Sequence, residues 1–253
     1  MRIHRNTLPE APKTFKQISK HIHSAEFKQA CDKEIGTLFK KSLFDYIDEK
    51  DVPDNETILP LMWVLSYKFD QDGYLARHKA RLVARGDLEF NQDDTYASTL
   101  AAQTFRAMAS IAAAFDLEIK QYDAINAFAN AKLPHPVYFN CPEGYEKEGK
   151  VMKATNAIYG LKNSPLLWYN EITLGFKRLG LTPVPETNCL FKNDWLLVMI
   201  YVDDILLMYH SRDNKKFLEL QARLLALYEF RIISDAIHFI GIRLLRNRKE
   251  RKL

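Results

Sequence analysis

The chain has 253 residues, of which 47% are hydrophobic and 27% charged, and this composition suits one large domain or two closely packed subdomains. The formal net charge of +4 is modest, so any phosphate-binding surface must come from local clusters of basic residues. The three cysteines include no Cys-x-x-Cys pair, which indicates reduced intracellular thiols and argues against a structural zinc site. No apolar signal core stands at the N-terminus, so nothing routes the chain to secretion.

Basic side chains concentrate in three segments of the sequence. Each segment is either a solvated face or part of a phosphate-binding surface, and the sequence alone leaves both open. The three segments contain Lys13, Lys16 and Lys20; Lys79, Arg81 and Arg85; and Arg243, Arg246, Arg248, Lys249, Arg251 and Lys252.

The first half of the chain begins with residues 1–24, a largely polar and basic segment without clear periodicity, which we expect to form a loosely ordered lead-in. From Ser24, the spacing of apolar residues predicts an amphipathic helix with Ser24 as its N-cap, ending before a turn at residues 51–54. Residues 61–69 and 74–84 are predicted strands joined by an Asp-Gly turn. Strand alternation places Lys79 and Arg81 on one face of the second strand, which gives a basic ribbon.

The second half alternates predicted helices and strands. A helix at residues 104–115 leads into a strand at 117–124 that ends near Asp123, and Val137 to Phe139 form a short strand. Ser164 and Pro165 open a helix that Gly180 stops. The remaining predictions are a hairpin of two apolar strands at 195–200 and 205–209, a helix at 215–228 and a final strand at 237–245. The sequence shows neither a Gly-x-Gly-x-x-Gly nor a P-loop signature, which argues against those nucleotide-binding folds.

The hairpin carries Tyr201-Val202-Asp203-Asp204 between its apolar runs. The runs are too short for a spanning helix, which needs roughly 20 apolar residues, so the segment is a strand-turn-strand. Ionised carboxylates beside buried strands are unfavourable unless they are paired or bind metal. Asp203 and Asp204 are therefore either metal ligands or turn residues that point into water, and the hairpin by itself leaves these readings about even.

Asp123 supplies a third carboxylate at a predicted strand end, 80 positions before Asp203, and we expect two converging sheet elements to bring it to Asp203 and Asp204. Three carboxylates at one sheet edge hold two divalent ions, roughly 3.5–4 Å apart, which is the general arrangement for two-metal phosphoryl transfer. Magnesium suits oxygen ligands of this kind, with manganese as a substitute.

Several motifs occur in an order that resembles the reverse transcriptase of copia-type LTR retrotransposons, the RNA-directed DNA polymerase domain of their polyprotein. The resemblance runs from about Phe27 to Leu245. The segments that carry it are Trp63-Val64, residues 79–86 (Lys-Ala-Arg-Leu-Val-Ala-Arg-Gly), Gln121-Tyr122-Asp123 with Ala127-Phe128, residues 159–165 (Tyr-Gly-Leu-Lys-Asn-Ser-Pro) with Trp168, Tyr201-Val202-Asp203-Asp204, and Phe239-Ile240-Gly241-Ile242.

The resemblance implies an α+β right-hand polymerase with fingers and palm, an antiparallel palm sheet flanked by helices, and a thumb that is missing or rudimentary. It assigns residues 25–98 and 131–163 to fingers and residues 99–130 and 164–246 to palm, between the lead-in of residues 1–24 and a basic tail of residues 247–253.

The same resemblance assigns roles to matching positions. Asp123, Asp203 and Asp204 become the catalytic metal ligands for two Mg²⁺ ions, and Phe128 becomes the steric gate that favours deoxynucleotides. The nucleotide-binding residues are Lys79, Arg81, Phe128, Tyr159 and Gly160, and the primer grip is Phe239, Ile240, Gly241 and Ile242. Apart from Tyr159, each position outside the three aspartates also has a structural interpretation: Phe128 as a core aromatic, Gly160 as a turn glycine, the grip as a core strand, and Lys79 and Arg81 as a solvated face.

One departure concerns the segment before the primer grip, where the family has a basic residue followed by Asp-Leu-Gly. Here Arg231 is followed by Ile232-Ile233-Ser234, so the motif D proton donor is in doubt. The chain also stops just after the grip, where the family continues into thumb and RNase H segments. We therefore expect either an active polymerase core or a truncated, inactive remnant that at most binds nucleic acid. A two-metal nuclease or phosphatase has no supporting motif.

The implied partners are an RNA or DNA template with its primer, and dNTPs, with no membrane; the sequence does not indicate an oligomeric state. The implied location is intracellular, in a cytoplasmic retrotransposon particle, in the nucleus, or in both. Without a thumb, weak and salt-sensitive binding to duplex is expected, because phosphate contacts dominate nucleic-acid affinity.

Overall fold

A computed structural model of the chain describes residues 2–89, 100–233 and 238–253. The chain divides into two units, each built from two segments. Unit 1 comprises Met1–Asp94 and Ala131–Ser164, and unit 2 comprises Thr95–Asn130 and Pro165–Leu253. The fold is mixed α+β, as the sequence predicts.

Helices and strands alternate along the described parts of the chain. The helices are α1 (Phe15–Ile18), α2 (Ser24–Lys40), α3 (Ala102–Ala114), α4 (Ser164–Arg178) and α5 (Asn214–Leu227). The strands are β1 (Phe44–Asp48), β2 (Ile58–Leu59), β3 (Leu61–Phe69), β4 (Leu75–Ala84), β5 (Glu118–Ala124), β6 (Lys132–Asn140), β7 (Lys150–Asn156), β8 (Thr182–Val184), β9 (Thr187–Lys192), β10 (Leu196–Tyr201), β11 (Asp204–Tyr209), β12 (Phe230–Ile233), β13 (His238–Phe239) and β14 (Ile242–Arg243).

Unit 1 contains a four-stranded sheet in the order β1-β7-β6-β2 and the β3–β4 hairpin. Pairing in the larger sheet is antiparallel except between β2 and β6. Helix α2 packs along β4 and buries its apolar stripe there. The rings of Phe27 on α2 and His78 on β4 lie 4.8 Å apart. Because strand residues alternate between faces, His78, Ala80 and Leu82 face α2, and Lys79 and Arg81 share the opposite face, as predicted.

The N-terminal segment is more ordered than its sequence predicts, because it pairs with the turn of the β3–β4 hairpin. Leu75 N–H donates to Ile3 O at 2.8 Å, and Arg5 N–H donates to Gly73 O at 2.9 Å. The Arg2 guanidinium forms an ion pair with Asp70. These contacts tie residues 2–5 to the hairpin within unit 1.

Unit 2 is built on a six-stranded antiparallel sheet in the order β12-β5-β11-β10-β9-β8. Helices α4 and α5 cover one face of this sheet. Phe176 on α4 contacts Phe191 on β9, with ring centroids 4.9 Å apart. Tyr209 on β11 stacks on Phe217 of α5 at 4.1 Å. The residues on the other face of β5 and β11 include Asp123 and Asp204, by strand alternation.

Strands β10 and β11 form the predicted buried hairpin at the centre of this sheet. From Val198 to Ile200 and from Ile205 to Tyr209, every side chain is at most 2% exposed. Both faces of the two strands are therefore covered, which explains why their sequences are continuous apolar runs and not alternating ones.

The predicted elements differ from the structure at several positions. Ser24 is the first residue of α2 and not its N-cap, which is His23. Helix α2 ends at Lys40, well before the turn at 51–54, because β1 begins at Phe44 and pairs with β7. In place of the predicted final strand, the structure has the short hairpin β13–β14, whose turn residues Ile240 and Gly241 have φ of 47° and 76°. Ile237, the first residue of that predicted strand, lies outside the described residues.

Among the described residues, none of the helices combines the length and the hydropathy that crossing a bilayer requires.

Candidate active site

The turn of the β10–β11 hairpin consists of Val202 and Asp203, flanked by the cross-strand pair Tyr201 and Asp204. Val202 has a φ of 55°, which is unusual for a β-branched residue and marks local backbone strain. The indole N–H of Trp168, a buried residue of α4, donates to Val202 O at 2.7 Å and anchors the turn. The turn conformation is thus fixed from outside the hairpin.

Asp123 lies directly beside this turn, because β5 is the neighbour of β11 in the sheet. Asp123 and Asp204 are cross-strand partners, and Ala124 N–H donates to Asp203 O at 2.8 Å. The side chains of cross-strand partners project from the same face of a sheet. The structure therefore brings together the three acidic residues that the sequence singles out.

Arg231 completes a row of charged residues across three strands. It is the cross-strand partner of Asp123 on β12, and Arg231 Nη2 donates to Asp123 Oδ2 at 2.6 Å. The sequence marks Arg231 only as part of an altered motif and gives no indication of this ion pair. Among the residues that the structure describes, Asp123 consequently has an ion-pair partner and Asp204 has none.

Gln121 is a further site residue, one to which the sequence assigns no role. It lies two residues before Asp123 on the same face of β5, and only 4% of it is exposed. Its Nε2 donates to Asp204 Oδ1 at 3.2 Å. The sequence could have indicated Gln121 through its spacing, because residues two apart on a strand lie on the same face of the sheet.

The site carries excess negative charge. Burial raises the pKa of the Asp204 carboxyl, and the negative charges of Asp203 and Asp123 raise it further. The hydrogen bond from Gln121 and the positive charge of Arg231 act in the opposite direction. A bound cation would relieve this repulsion, since an opposite charge favours the ionised form of a carboxyl.

The residues fit magnesium in their chemistry, although their side chains are not gathered around one point. Carboxylate oxygens are the hard ligands that Mg²⁺ prefers. Within residues 2–89, 100–233 and 238–253, no group of three His, Cys, Asp or Glu side chains is close enough together to hold a metal ion. One Asp123 oxygen is engaged by Arg231. Joint coordination of a metal ion by all three carboxylates therefore requires a side-chain rearrangement that brings Asp123 towards Asp203 and Asp204.

A second group of predicted residues meets in unit 1. The guanidinium carbon of Arg81 lies 3.8 Å from the centroid of the Tyr159 ring, a cation–π contact. Ala84 N–H donates to Tyr159 O at 2.7 Å, so the Tyr159 backbone is fixed to β4. Burial lowers the pKa of Lys79, and the positive charge of Arg81 lowers it further. These residues form a basic surface with one aromatic ring.

Gly160 allows a close backbone approach, and the backbone that it approaches within unit 1 is that of β4. Its φ is 99°, and a Cβ built there would lie 2.1 Å from Ala84 O. At Gly86, a Cβ would lie 2.1 Å from Gly160 O. The two glycines thus let the segments around Ala84 and Gly160 touch.

The remaining predicted site residues lie in unit 2. Phe128 is in a 3-10 turn after β5 and is only 6% exposed. Phe239 is buried, and its ring lies 5.5 Å from that of Phe105 on α3. Ile240 and Gly241 form the turn between β13 and β14. The predicted primer grip is therefore a tight hairpin anchored by one buried aromatic ring.

Part of the C-terminal basic cluster is already neutralised by acidic residues. Arg246 donates to Asp116 Oδ1 at 2.8 Å and to Leu117 O at 2.6 Å. Arg248 donates to Asp116 at 3.1 Å and to Glu118 at 2.7 Å. These two arginines hold the C-terminal segment against the start of β5.

The fold and the site together define a mixed α+β protein with two acidic residues paired on neighbouring strands of an antiparallel sheet and a third in the adjoining hairpin turn. A family model described as "Reverse transcriptase (RNA-dependent DNA polymerase)" matches residues 44–253. The chain belongs to this reverse transcriptase family.

Its relatives are transposon polyproteins, which confirms the resemblance to copia-type elements. The "Retrovirus-related Pol polyprotein from transposon TNT 1-94" of Nicotiana tabacum is 28% identical, over 96% of this chain and 19% of that protein. The "Transposon Ty1-GR3 Gag-Pol polyprotein" of Saccharomyces cerevisiae is 30% identical, over 83% of this chain and 12% of that protein. The chain thus spans at most about a fifth of the length of these curated relatives.

A solved structure of the foamy viral protease-reverse transcriptase in complex with double-stranded DNA is also similar. The similarity covers 86% of this chain and 33% of that chain, with a TM-score of 0.45 and 18% sequence identity.

Proposed function

We propose that this chain is the polymerase core of a copia-type retrotransposon polyprotein, and that it copies an RNA or DNA template by adding deoxynucleotides to a primer 3′-hydroxyl. The observation that carries the proposal is the adjacency of Asp123 and Asp204 on paired strands with Asp203 in the turn between β10 and β11. Membership of the reverse transcriptase family supports the same activity. In this proposal, unit 1 corresponds to fingers and unit 2 to palm.

The three carboxylates hold two Mg²⁺ ions in this proposal, and Mn²⁺ can replace them. When bound, such a pair activates the attacking hydroxyl and stabilises the departing pyrophosphate. The backbone does the positioning: sheet register fixes Asp123 against Asp204, and the Trp168 hydrogen bond fixes the turn that carries Asp203.

The basic surface of unit 1 binds the triphosphate of the incoming nucleotide. This assignment is supported by the positions of Lys79 and Arg81, which lie on the same face of β4. Arg81 is held by its contact with Tyr159 and presents a fixed fork of donors, which suits phosphate oxygens. Gly160 keeps the backbone beside Tyr159 close to β4.

Phe128 serves as the steric gate, and residues 239–242 grip the primer. Both assignments rest on the matching motif positions. A buried Phe128 excludes a ribose 2′-hydroxyl only if its ring borders the nucleotide pocket. The steric-gate assignment is tested by measuring the selectivity for dNTPs over rNTPs in wild type and in Phe128→Val. Circular dichroism verifies that the variant is folded.

A second candidate function is a non-catalytic remnant that binds nucleic acid without turnover. The observation that favours it is the Arg231–Asp123 ion pair, which occupies one carboxylate of the site. The altered sequence after Arg231 points the same way, although Ser234 lies outside the described residues.

Primer extension with the purified chain separates these two functions. The assay contains a primed RNA template, dNTPs and Mg²⁺, with Asp203→Asn as the inactive control and Asp45→Asn, an exposed acid on β1, as the matched control. We expect wild type and Asp45→Asn to extend the primer and Asp203→Asn to give background only. Equal products from wild type and Asp203→Asn would eliminate the polymerase proposal, and filter binding of the same primed template would then test the remnant.

A further inference from the structure

Gln121 is unusual among the buried polar residues of the described chain. Three polar or charged side chains are buried there: Gln121, Ser164 and Asp213. Ser164 Oγ donates to Ile158 O at 2.6 Å, and Asp213 accepts from Lys216 at 2.8 Å. Gln121 uses only one end of its amide, because no donor among the described residues reaches its Oε1. An unsatisfied buried acceptor is destabilising, so its retention calls for an explanation.

The bonded end of the amide acts on the candidate active site. Gln121 Nε2 donates to Asp204 Oδ1 at 3.2 Å, a charge-assisted hydrogen bond to a partly buried carboxylate of the site. The reverse orientation of the amide would place its oxygen against this carboxylate. The hydrogen bond restricts the rotation of the Asp204 side chain through one of its two carboxylate oxygens.

The unpaired end of the amide lies on the same sheet face as the acidic residues. The cross-strand partners of Gln121 are Leu206 on β11 and Ile233 on β12, and neither side chain can donate a hydrogen bond. The group that satisfies Gln121 Oε1 must therefore come from outside this part of the sheet. A water molecule held near the carboxylates is a donor of suitable size.

We propose that Gln121 is a positioning residue for divalent-cation binding: its Nε2 holds the Asp204 carboxylate, and its Oε1 accepts a hydrogen bond from a water ligand of the cation. This inference rests on the proposed function, since the cation is the one that polymerisation requires. Magnesium and similar ions keep several waters when they bind to proteins, and groups that orient ligands from the second coordination sphere change metal affinity about 10–100-fold.

The test measures Mn²⁺ binding directly, by electron paramagnetic resonance of free Mn²⁺, and not only activity. Gln121→Met removes both hydrogen-bonding ends at similar volume, and Gln121→Asn keeps the amide but is one methylene too short to reach Asp204. The matched control is Tyr122→Phe, because Tyr122 is the next residue of β5, is equally buried, and loses one hydrogen bond from Gln221 on the opposite face. Thermal unfolding of each variant shows whether it is folded.

We expect both Gln121 variants to bind Mn²⁺ about 10–100-fold more weakly than wild type, and Tyr122→Phe to stay within about twofold. Unchanged Mn²⁺ affinity in folded Gln121→Met overturns the inference. The inference is also overturned if Tyr122→Phe weakens Mn²⁺ binding as much as the Gln121 variants do, because the effect then comes from a general loss of packing. Wild type that binds no Mn²⁺ also overturns it.

Primer extension by the same proteins distinguishes this inference from the proposed function. If wild type extends a primer, and Gln121→Met also binds Mn²⁺ and extends normally, the proposed polymerase function stands and the proposed role of Gln121 is wrong. If Mn²⁺ binding to wild type depends on Gln121 but wild type does not extend a primer, the proposed role of Gln121 stands and the proposed polymerase function is wrong.

Discussion

Arg231 Nη2 lies 2.6 Å from Asp123 Oδ2, and the two residues are cross-strand partners on β12 and β5. The ion pair places one positive charge in a row that also contains Asp204. It both reduces the repulsion among the acidic residues and competes with any cation for Asp123. The balance between these effects decides whether the site is available for metal.

Replacing Arg231 by glutamine should strengthen cation binding. Removal of one positive charge a few ångströms from the carboxylates should lower the Kd for Mn²⁺ about three- to tenfold, as expected for a partly solvated charge. The free energy of unfolding should change by no more than about 1 kcal/mol, because the Arg231 side chain is half exposed. Mn²⁺ titrations and urea unfolding of the same samples measure both quantities.

The matched control for this variant is Arg212→Gln, which removes an arginine that contacts Asp213 at 3.5 Å and leaves the acidic site intact. Its Mn²⁺ affinity should equal that of wild type. Weaker Mn²⁺ binding in Arg231→Gln would mean that Arg231 orders Asp123 for the metal and does not compete with it.

The strained turn at Val202 should be relieved by glycine. Val202 has a φ of 55°, a value that glycine adopts freely, and its side chain is 38% exposed, so little burial is lost. We expect Val202→Gly to raise the free energy of unfolding by about 1 kcal/mol. Val198→Gly serves as the control, because Val198 is fully buried in the extended strand β10 and its loss should destabilise by about 3 kcal/mol. Destabilisation by Val202→Gly would show that the turn is unstrained.

The sequence predicts best the elements whose local pattern matches their surroundings. The β10–β11 hairpin is recognisable because two continuous apolar runs flank a short polar turn, and β3–β4 because an Asp-Gly turn joins two strand-like runs. Strands β1 and β8 have no such local signal. Their formation depends on pairing with β7 and β9, and such pairing is a tertiary effect that local propensity does not encode.

Of the candidate site, the sequence predicts the acidic residues but not their partners. Asp203 and Asp204 attract notice because carboxylates beside apolar runs are costly, and the motif order adds Asp123. The Arg231–Asp123 pair and the Gln121–Asp204 hydrogen bond depend on the register between strands that are 108 and 83 residues apart in sequence. Register of this kind is a property of the assembled sheet and cannot be read from one strand.

Gly160→Ala should destabilise unit 1 strongly. The new Cβ would lie 2.1 Å from Ala84 O, and the φ of 99° is unfavourable for alanine. We expect a loss of about 3 kcal/mol or more in the free energy of unfolding, measured in urea. Gly36→Ala is the matched control, because Gly36 is inside α2. Apart from its two chain neighbours and the helix's own backbone, no atom of the described residues lies within 4 Å of the methyl group that alanine would add. Alanine there should stabilise by about 0.5–1 kcal/mol. Similar effects of the two substitutions would contradict the close approach of Gly160 to β4.

The partly buried histidine His78 should make the stability of unit 1 depend on pH. Burial lowers the pKa of His78, and the neighbouring His23 and His21 lower it further, against the opposing charge of Glu26. The unfolded chain therefore binds more protons than the folded chain at pH values just below the ordinary histidine pKa of about 6.5. The contribution of His78 to the free energy of unfolding is complete above a pH of about 6.5. It is lost as the pH falls towards the pKa of His78 in the folded state.

His78→Phe should flatten this dependence. The His78 ring lies among His23, Phe27 and Tyr67, with centroids 4.8–5.3 Å away, so a phenyl ring fits the surroundings and carries no charge. Urea unfolding of wild type between pH 7.5 and about 5 should show falling stability, and His78→Phe a smaller fall. His135→Gln, at an exposed position on β6, should behave as wild type. Parallel curves for wild type and His78→Phe would assign the pH dependence to other groups.

The three cysteines should differ sharply in reactivity. Burial raises the pKa of Cys31 to about 12 and that of Cys189 to about 11, so both remain protonated thiols at pH 8. Cys141 is partly exposed. A chromogenic disulfide reagent at pH 8 should therefore modify one thiol per native chain and all three in guanidinium, and Cys141→Ser should abolish the native reaction. Rapid modification of Cys31 or Cys189 in the native protein would show that α2 or β9 opens to solvent on the timescale of the reaction.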